Sequence, residues 1–131
     1  MNVSSVFTFV PDVRCFTPTD AFVARVAGDI RTSQQLFELF YQSLVLPGYF
    51  GFNWNALFDC LRDFHWVSER KVIIVHDDLP ELEPSEMKIY LDVLHDAVVD
   101  WKPDEVHSLQ VVFDERDRAC IELMMEKGAD L

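Results

Sequence analysis

Lys71-Val72-Ile73-Ile74-Val75-His76 is the stretch on which the fold turns. Four branched aliphatic residues in a row leave no polar face, so a strand here is buried on both sides, as in the centre of a parallel sheet. Working outward, Phe22-Val23-Ala24-Arg25-Val26 reads as a second strand, closed by the Ala27-Gly28-Asp29 turn. Ser108-Leu109-Gln110-Val111-Val112-Phe113 reads as a third. Helical patterns separate them. Thr32 or Ser33 caps a helix whose Leu36, Phe37, Leu39, Phe40, Leu44 and Val45 form a broad apolar stripe. A second helix runs from about Trp54 to Phe64. A long one, Ser85 to Trp101, packs through Met87, Tyr90, Leu91, Leu94, Ala97, Val98 and Trp101. Asp117 to Lys127 closes the chain as an amphipathic helix, with Gly128 as its stop signal.

Helical crossovers between strands predict an α/β fold, a small and mostly parallel sheet of about three strands packed with helices. Val6 to Val10 has strand character, ended by Pro11, and the residues to Asp20 read as irregular. One domain is expected over 1–131, with a core at about 22–114, an N-terminal extension over 1–20 and a C-terminal helix over about 117–127. Covering a sheet edge is a natural task for the N-terminal strand, since open edges invite association.

Charge narrows the partners. The 23 acidic residues outnumber the 11 basic ones, for a net charge of −12. Direct nucleic-acid binding needs a basic face, so it is not expected. Cys15, Cys60 and Cys120 are odd in number and lack metal-ligand spacing, which points to neither disulfides nor zinc but to a reducing compartment. Met1 to Pro11 shows no basic, then apolar, leader pattern, and no apolar run reaches the roughly 18 residues of a membrane span. A cytoplasmic location without a membrane partner is the expectation.

Catalytic patterns are sparse. His76-Asp77-Asp78 ends the strongest strand, where α/β folds often place functional groups, and such a trio can hold a hard cation for a metal-dependent enzyme. The competing reading is an ordinary loop start, with Asp77 or Asp78 in a turn hydrogen bond, and it is favoured because no Gly-rich phosphate loop accompanies the trio. His65, His95 and His107 have no nucleophile elbow beside them. Asp96 and Asp100 are four apart and suit paired acids or plain solvation. The expectation is a non-enzyme with no cofactor and no metal.

The densest signal is Leu46 to Phe64. Pro47, Gly48 and Gly51 make a turn, and Asn53 is a good N-cap for a helix starting at Trp54. Trp54, Leu57, Phe58, Leu61 and Phe64 mark its packed side, and Asn55, Asp59, Arg62 and Asp63 fall opposite. An aromatic turn feeding a helix with exposed acids suggests a display surface for a cationic partner.

Leu46-Pro47, Tyr49-Phe50-Gly51, Asn53 and Ala56-Leu57-Phe58-Asp59-Cys60-Leu61 resemble the signature of the barstar family, intracellular inhibitors of the bacterial ribonuclease barnase. The order of elements from Phe22 to Phe113 is also similar to that family's. The resemblance implies inhibition by occupation: the helix after the aromatic turn enters the nuclease, and its acid takes the place of a substrate phosphate. The matching acid is Asp59, and a carboxylate among Arg, Lys and His makes charge-assisted hydrogen bonds much as a phosphate does. Tyr49 matches an interface aromatic, Asn53 a turn residue near the interface, and Phe58 a tryptophan. Aligning Tyr90 to Ala97 with the corresponding helix puts Asp96 at an interface glutamate. Asn55 stands where barstar has an acid and Phe64 where it has a tryptophan, which speaks against barnase itself as the target and for a related or differently shaped nuclease. The implied partner-binding set is Tyr49, Asn53, Asn55, Phe58, Asp59, Asp63 and Asp96, facing a basic secreted or toxin ribonuclease as an antitoxin or immunity protein would. The alternative is an acidic interaction domain for a basic protein that is not a nuclease.

Overall fold

The computed structural model describes residues 6–129. Lys71–His76 is strand β3 of an all-parallel sheet with the order β1–β4–β3–β2, in which β1 is Thr8–Val10, β2 Phe22–Val26 and β4 Ser108–Asp114. Phe22 lies opposite Val72 and Val26 opposite His76, while Lys71 lies opposite Ser108 and Val75 opposite Val112. The sheet has four strands, one more than the sequence reading counts. Thr8 pairs with Val112 and Val10 with Asp114, so the N-terminal strand extends the sheet beside β4. Three residues ending before a proline are too few for alternation to declare a sheet member.

The double burial expected of β3 is present, and its two faces meet different things. Val72, Ile74 and His76 point into the main core with Ala24, Val26, Val111 and Phe113, where α1 (Ser33–Ser43), α2 (Trp54–Leu61), α3 (Pro84–Asp100) and α4 (Arg118–Ala129) pack. Ile73 and Val75, with Val112, face a smaller cluster built around Val13. β1 and β2 are opposite edges, so the chain between them must cross this second face, and residues 11–21 do so as a strap. The strap is not wholly irregular, because Val13–Cys15 forms a 3₁₀ turn that buries Val13 completely. Arg25 fastens it: its guanidinium donates to the carbonyls of Phe16 (2.8 Å) and Val13 (2.9 Å) and to both carboxylate oxygens of Asp77 (2.7 and 3.0 Å). The Val13 N–H donates to Asp114 Oδ2 at 3.2 Å. Hydrogen bonds from the N–H groups of Arg116 and Val13 hold the Asp114 carboxyl below the usual range.

Helix ends follow local chemistry. Thr32 caps α1 in a reciprocal pair with Gln35. Val45 then turns the chain with φ 53°, and Leu46 N–H returns to the Tyr41 carbonyl at 3.1 Å. Val45 is therefore exposed rather than part of the apolar stripe. Asn53 caps α2 as its sequence predicts, but α2 stops at Leu61, short of Phe64. The chain turns through Arg62 and Asp63, and Phe64 takes φ 55°, which drops its ring into the core although the helix has ended. At the C-terminus the helix continues through Gly128 to Ala129, so that glycine is no stop signal. Among the described residues no helix is long and apolar enough to cross a membrane.

Candidate functional site

The loop before α2 packs its rings against α1 and the main core. Phe50 and Phe52 have ring centroids 4.8 Å apart, Tyr41 and Phe52 5.2 Å, and Phe37 and Trp54 4.8 Å. Asn53 Oδ1 accepts the Ala56 N–H at 2.8 Å and its Nδ2 donates to the Gly51 carbonyl at 3.2 Å. A Cβ on Gly51 would come within 3.0 Å of that Nδ2, so a side chain there disturbs the cap. The first turn of α2 is thereby held at both its capping group and its first ring.

Between α2 and α3 lies a groove of about 360 Å³. Its α2 wall is Trp54, Asn55, Phe58 and Asp59, and its α3 wall is Ile89, Asp92, Val93 and Asp96, each set sharing one helix face. Rings and aliphatic side chains line it and three carboxylates rim it. Trp54 leans on the core, 6.0 Å between centroids from the buried Tyr90. Asp59 is exposed, and among the described residues its carboxylate makes no hydrogen bond or ion pair. Asp96 sits 3.1 Å from His95 Nδ1, and Asp92 Oδ1 accepts from Lys88 Nζ at 2.5 Å. The sequence reading missed Asp92, although its place four residues before Asp96 puts it on the same helix face. Trp54 and Phe58 pack against the core, as read there, and their half-buried rings also wall the groove.

Four of the seven candidate residues, Asn55, Phe58, Asp59 and Asp96, thus come together. Asn53 serves the cap beside them. Tyr49 and Asp63 meet elsewhere: the Tyr49 hydroxyl donates to Asp63 Oδ2 at 3.0 Å, and His65 donates its N–H to Oδ1 at 3.2 Å and brings Nδ1 within 2.8 Å of Oδ2. Burial opposes the charged form of Asp63, but the bonds from His65 and Tyr49 outweigh it and hold the carboxyl below its usual range. Asp63 and His65 edge a second hollow of about 610 Å³, walled by Arg62, Trp101 and Glu105. Arg62 lies over the Trp101 ring at 4.1 Å and donates to Asp100 and Glu105, rather than standing out beside the α2 acids. Beneath the acids, burial first and the charges of Asp63 and Asp59 second push the Cys60 thiol up to about 11, which leaves it unreactive.

The other candidate chemistry disperses. His76 turns into the core, Asp77 pairs with Arg25, and Asp78 accepts from Arg14 and from the Gly28 N–H. Asp96 borders the groove while Asp100 pairs with Arg62, so the two do not act together. Among the described residues no three His, Cys, Asp or Glu side chains converge so as to hold a metal ion.

A family model described as Barstar (barnase inhibitor) matches residues 21–114. No curated protein and no solved structure matches the chain.

Proposed function

Matched over residues 21–114, the chain belongs to the barstar family, and we propose that it inhibits a ribonuclease by seating the α2–α3 groove in the enzyme's phosphate-binding cleft. Asp59 carries the reading. It is an exposed carboxylate with no cation of its own, at the rim of an apolar groove, so a nuclease's Arg, Lys and His can supply the missing partners. Phe58 offers an apolar anchor, Asn55 and Asp96 offer flanking polar contacts, and Asn53 fixes the helix start. Tyr49, tethered to Asp63, presents its ring at a second point of contact. A net charge of −12 steers encounter with a basic enzyme. Asn55 leaves α2 one carboxylate in the groove, which favours a target other than barnase. The setting that fits is an antitoxin in the cytoplasm of a bacterium that makes a basic ribonuclease.

Cleavage of a fluorogenic RNA substrate tests this, with barnase and with any small basic ribonuclease encoded beside this chain's gene. Loss of cleavage at one equivalent of the chain is the expected result with the neighbouring enzyme. Full cleavage by both enzymes at excess inhibitor overturns the proposal, and capture of a basic protein without nuclease activity points to the non-nuclease alternative.

A further inference from the structure

One acid of the groove's α3 wall, Asp92, is tied to Lys88 by a salt link for which inhibition by Asp59 has no use. Lys88 and Asp92 are one turn apart, and their side chains retain 27% and 46% exposure. Lys88 therefore neutralises one of the three groove carboxylates in the free chain, while Asn55 adds none from α2. Resting on the reading of this groove as the partner site, we infer that Asp92 is its second acidic contact and that Lys88 is a resident competitor, so that the pair selects a partner inserting an arginine side chain between α2 and α3.

The walls favour arginine over lysine. Trp54 and Phe58 present rings, and Ile89 and Val93 aliphatic surface, against which a weakly hydrated, planar guanidinium stacks while a strongly hydrated ammonium does not. A guanidinium fork also spans two acceptors at once, whereas Lys88 satisfies a single Asp92 oxygen. Lys88 is easily displaced. An i,i+4 pair at a helix surface is weak, and the flexible lysine stem can swing its ammonium into water.

Titration of the ¹⁵N-labelled chain with hexa-arginine, and separately with hexa-lysine, tests the inference by following the Trp54 indole and the Ile89, Asp92, Val93 and Asp96 amides. For hexa-arginine the shifts should centre on the groove. Asp92→Asn should weaken binding about tenfold, and Lys88→Gln should tighten it about threefold. In the Asp92→Asn background Lys88→Gln should change nothing. Thermal melts establish that each variant is folded. Shifts spread over the acidic surface overturn the inference, as does a Lys88→Gln gain that is equal for both peptides or survives Asp92→Asn. The two proposals fail separately: unimpeded RNA cleavage with the peptide pattern intact removes the ribonuclease alone, and blocked cleavage with the peptide pattern absent removes the Asp92–Lys88 selectivity alone.

Discussion

The Tyr90 hydroxyl donates to His76 Nε2 across 2.6 Å, and both residues are fully buried. The Val112 carbonyl, 3.1 Å from Nδ1, can only accept, so Nδ1 carries the ring proton and Nε2 must be the acceptor. A second proton has no place to go. Burial accordingly lowers the His76 pKa from 6.5 to about 4, with the Val112 bond and Asp77 pulling weakly the other way.

This arrangement predicts acid sensitivity of a definite shape. The unfolded chain takes up the His76 proton first, so stability falls as pH drops below about 6.5 and the loss levels off below about 4. The loss is on the order of 3 kcal/mol. Urea unfolding of wild type and His76→Gln at pH 7, 5.5 and 4 isolates it, because the carboxylates titrate in both. An unchanged difference between the two proteins across the series would refute the assignment.

Val45 offers a stabilising substitution. A β-branched residue at φ 53° is strained, and at 62% exposure the side chain returns little by packing. Val45→Gly should stabilise the protein by about 1 kcal/mol after the added unfolded-state entropy of glycine, raising Tm by about 4 °C. Calorimetry decides it, and a lowered Tm would show that the Val45 side chain packs more than its exposure suggests.

Asp59→Ala should separate binding from folding. The carboxylate has no partner among the described residues, so stability should stay within about 0.5 kcal/mol of wild type. Affinity for the proposed ribonuclease target should fall by about 2–5 kcal/mol, since the enzyme's cations lose their acceptor. Matched calorimetric titrations and thermal melts measure both quantities, and unaltered affinity removes Asp59 from the mechanism.

Arg25→Ala should do the reverse. It leaves the Asp77 carboxylate and the Phe16 carbonyl without their donor and the Val13 carbonyl with the Phe16 N–H alone, so the strap loses its fastening. A loss of about 3 kcal/mol is expected in urea unfolding, with the proposed ribonuclease inhibition by the remaining folded protein unchanged. Weakened inhibition at temperatures where the variant is fully folded would tie the strap to the groove.

What could be read from residues alone follows the range of the forces involved. β3 was legible because four consecutive aliphatics admit one environment, and the start of α2 because Asn53 caps within three residues. The end of α2 was not, because the apolar spacing runs on to Phe64 while the helix does not, and a left-handed phenylalanine has no local signature. β1 joins the sheet through Val112 and its neighbours, about a hundred residues away. In the groove, Asn55 and Asp59 are legible as the outward face of α2, whereas Phe58 reads by spacing as packed and by resemblance as an interface residue, and it serves both. Asp92 became part of the site only when α3 was laid against α2, and Tyr49 met Asp63 only once the loop had folded back on the helix.

Val13 and all but the last residue of its strap precede residue 21, where the family match begins, and cover the sheet face opposite the helices that form the groove. Durability and recognition are thus written in different parts of the chain. Substitutions around Val13 and Arg25 can lengthen or shorten the time the molecule survives unfolding and proteolysis while the groove stays as it is. On the proposed inhibitory role, persistence is then a quantity evolution can adjust without renegotiating affinity.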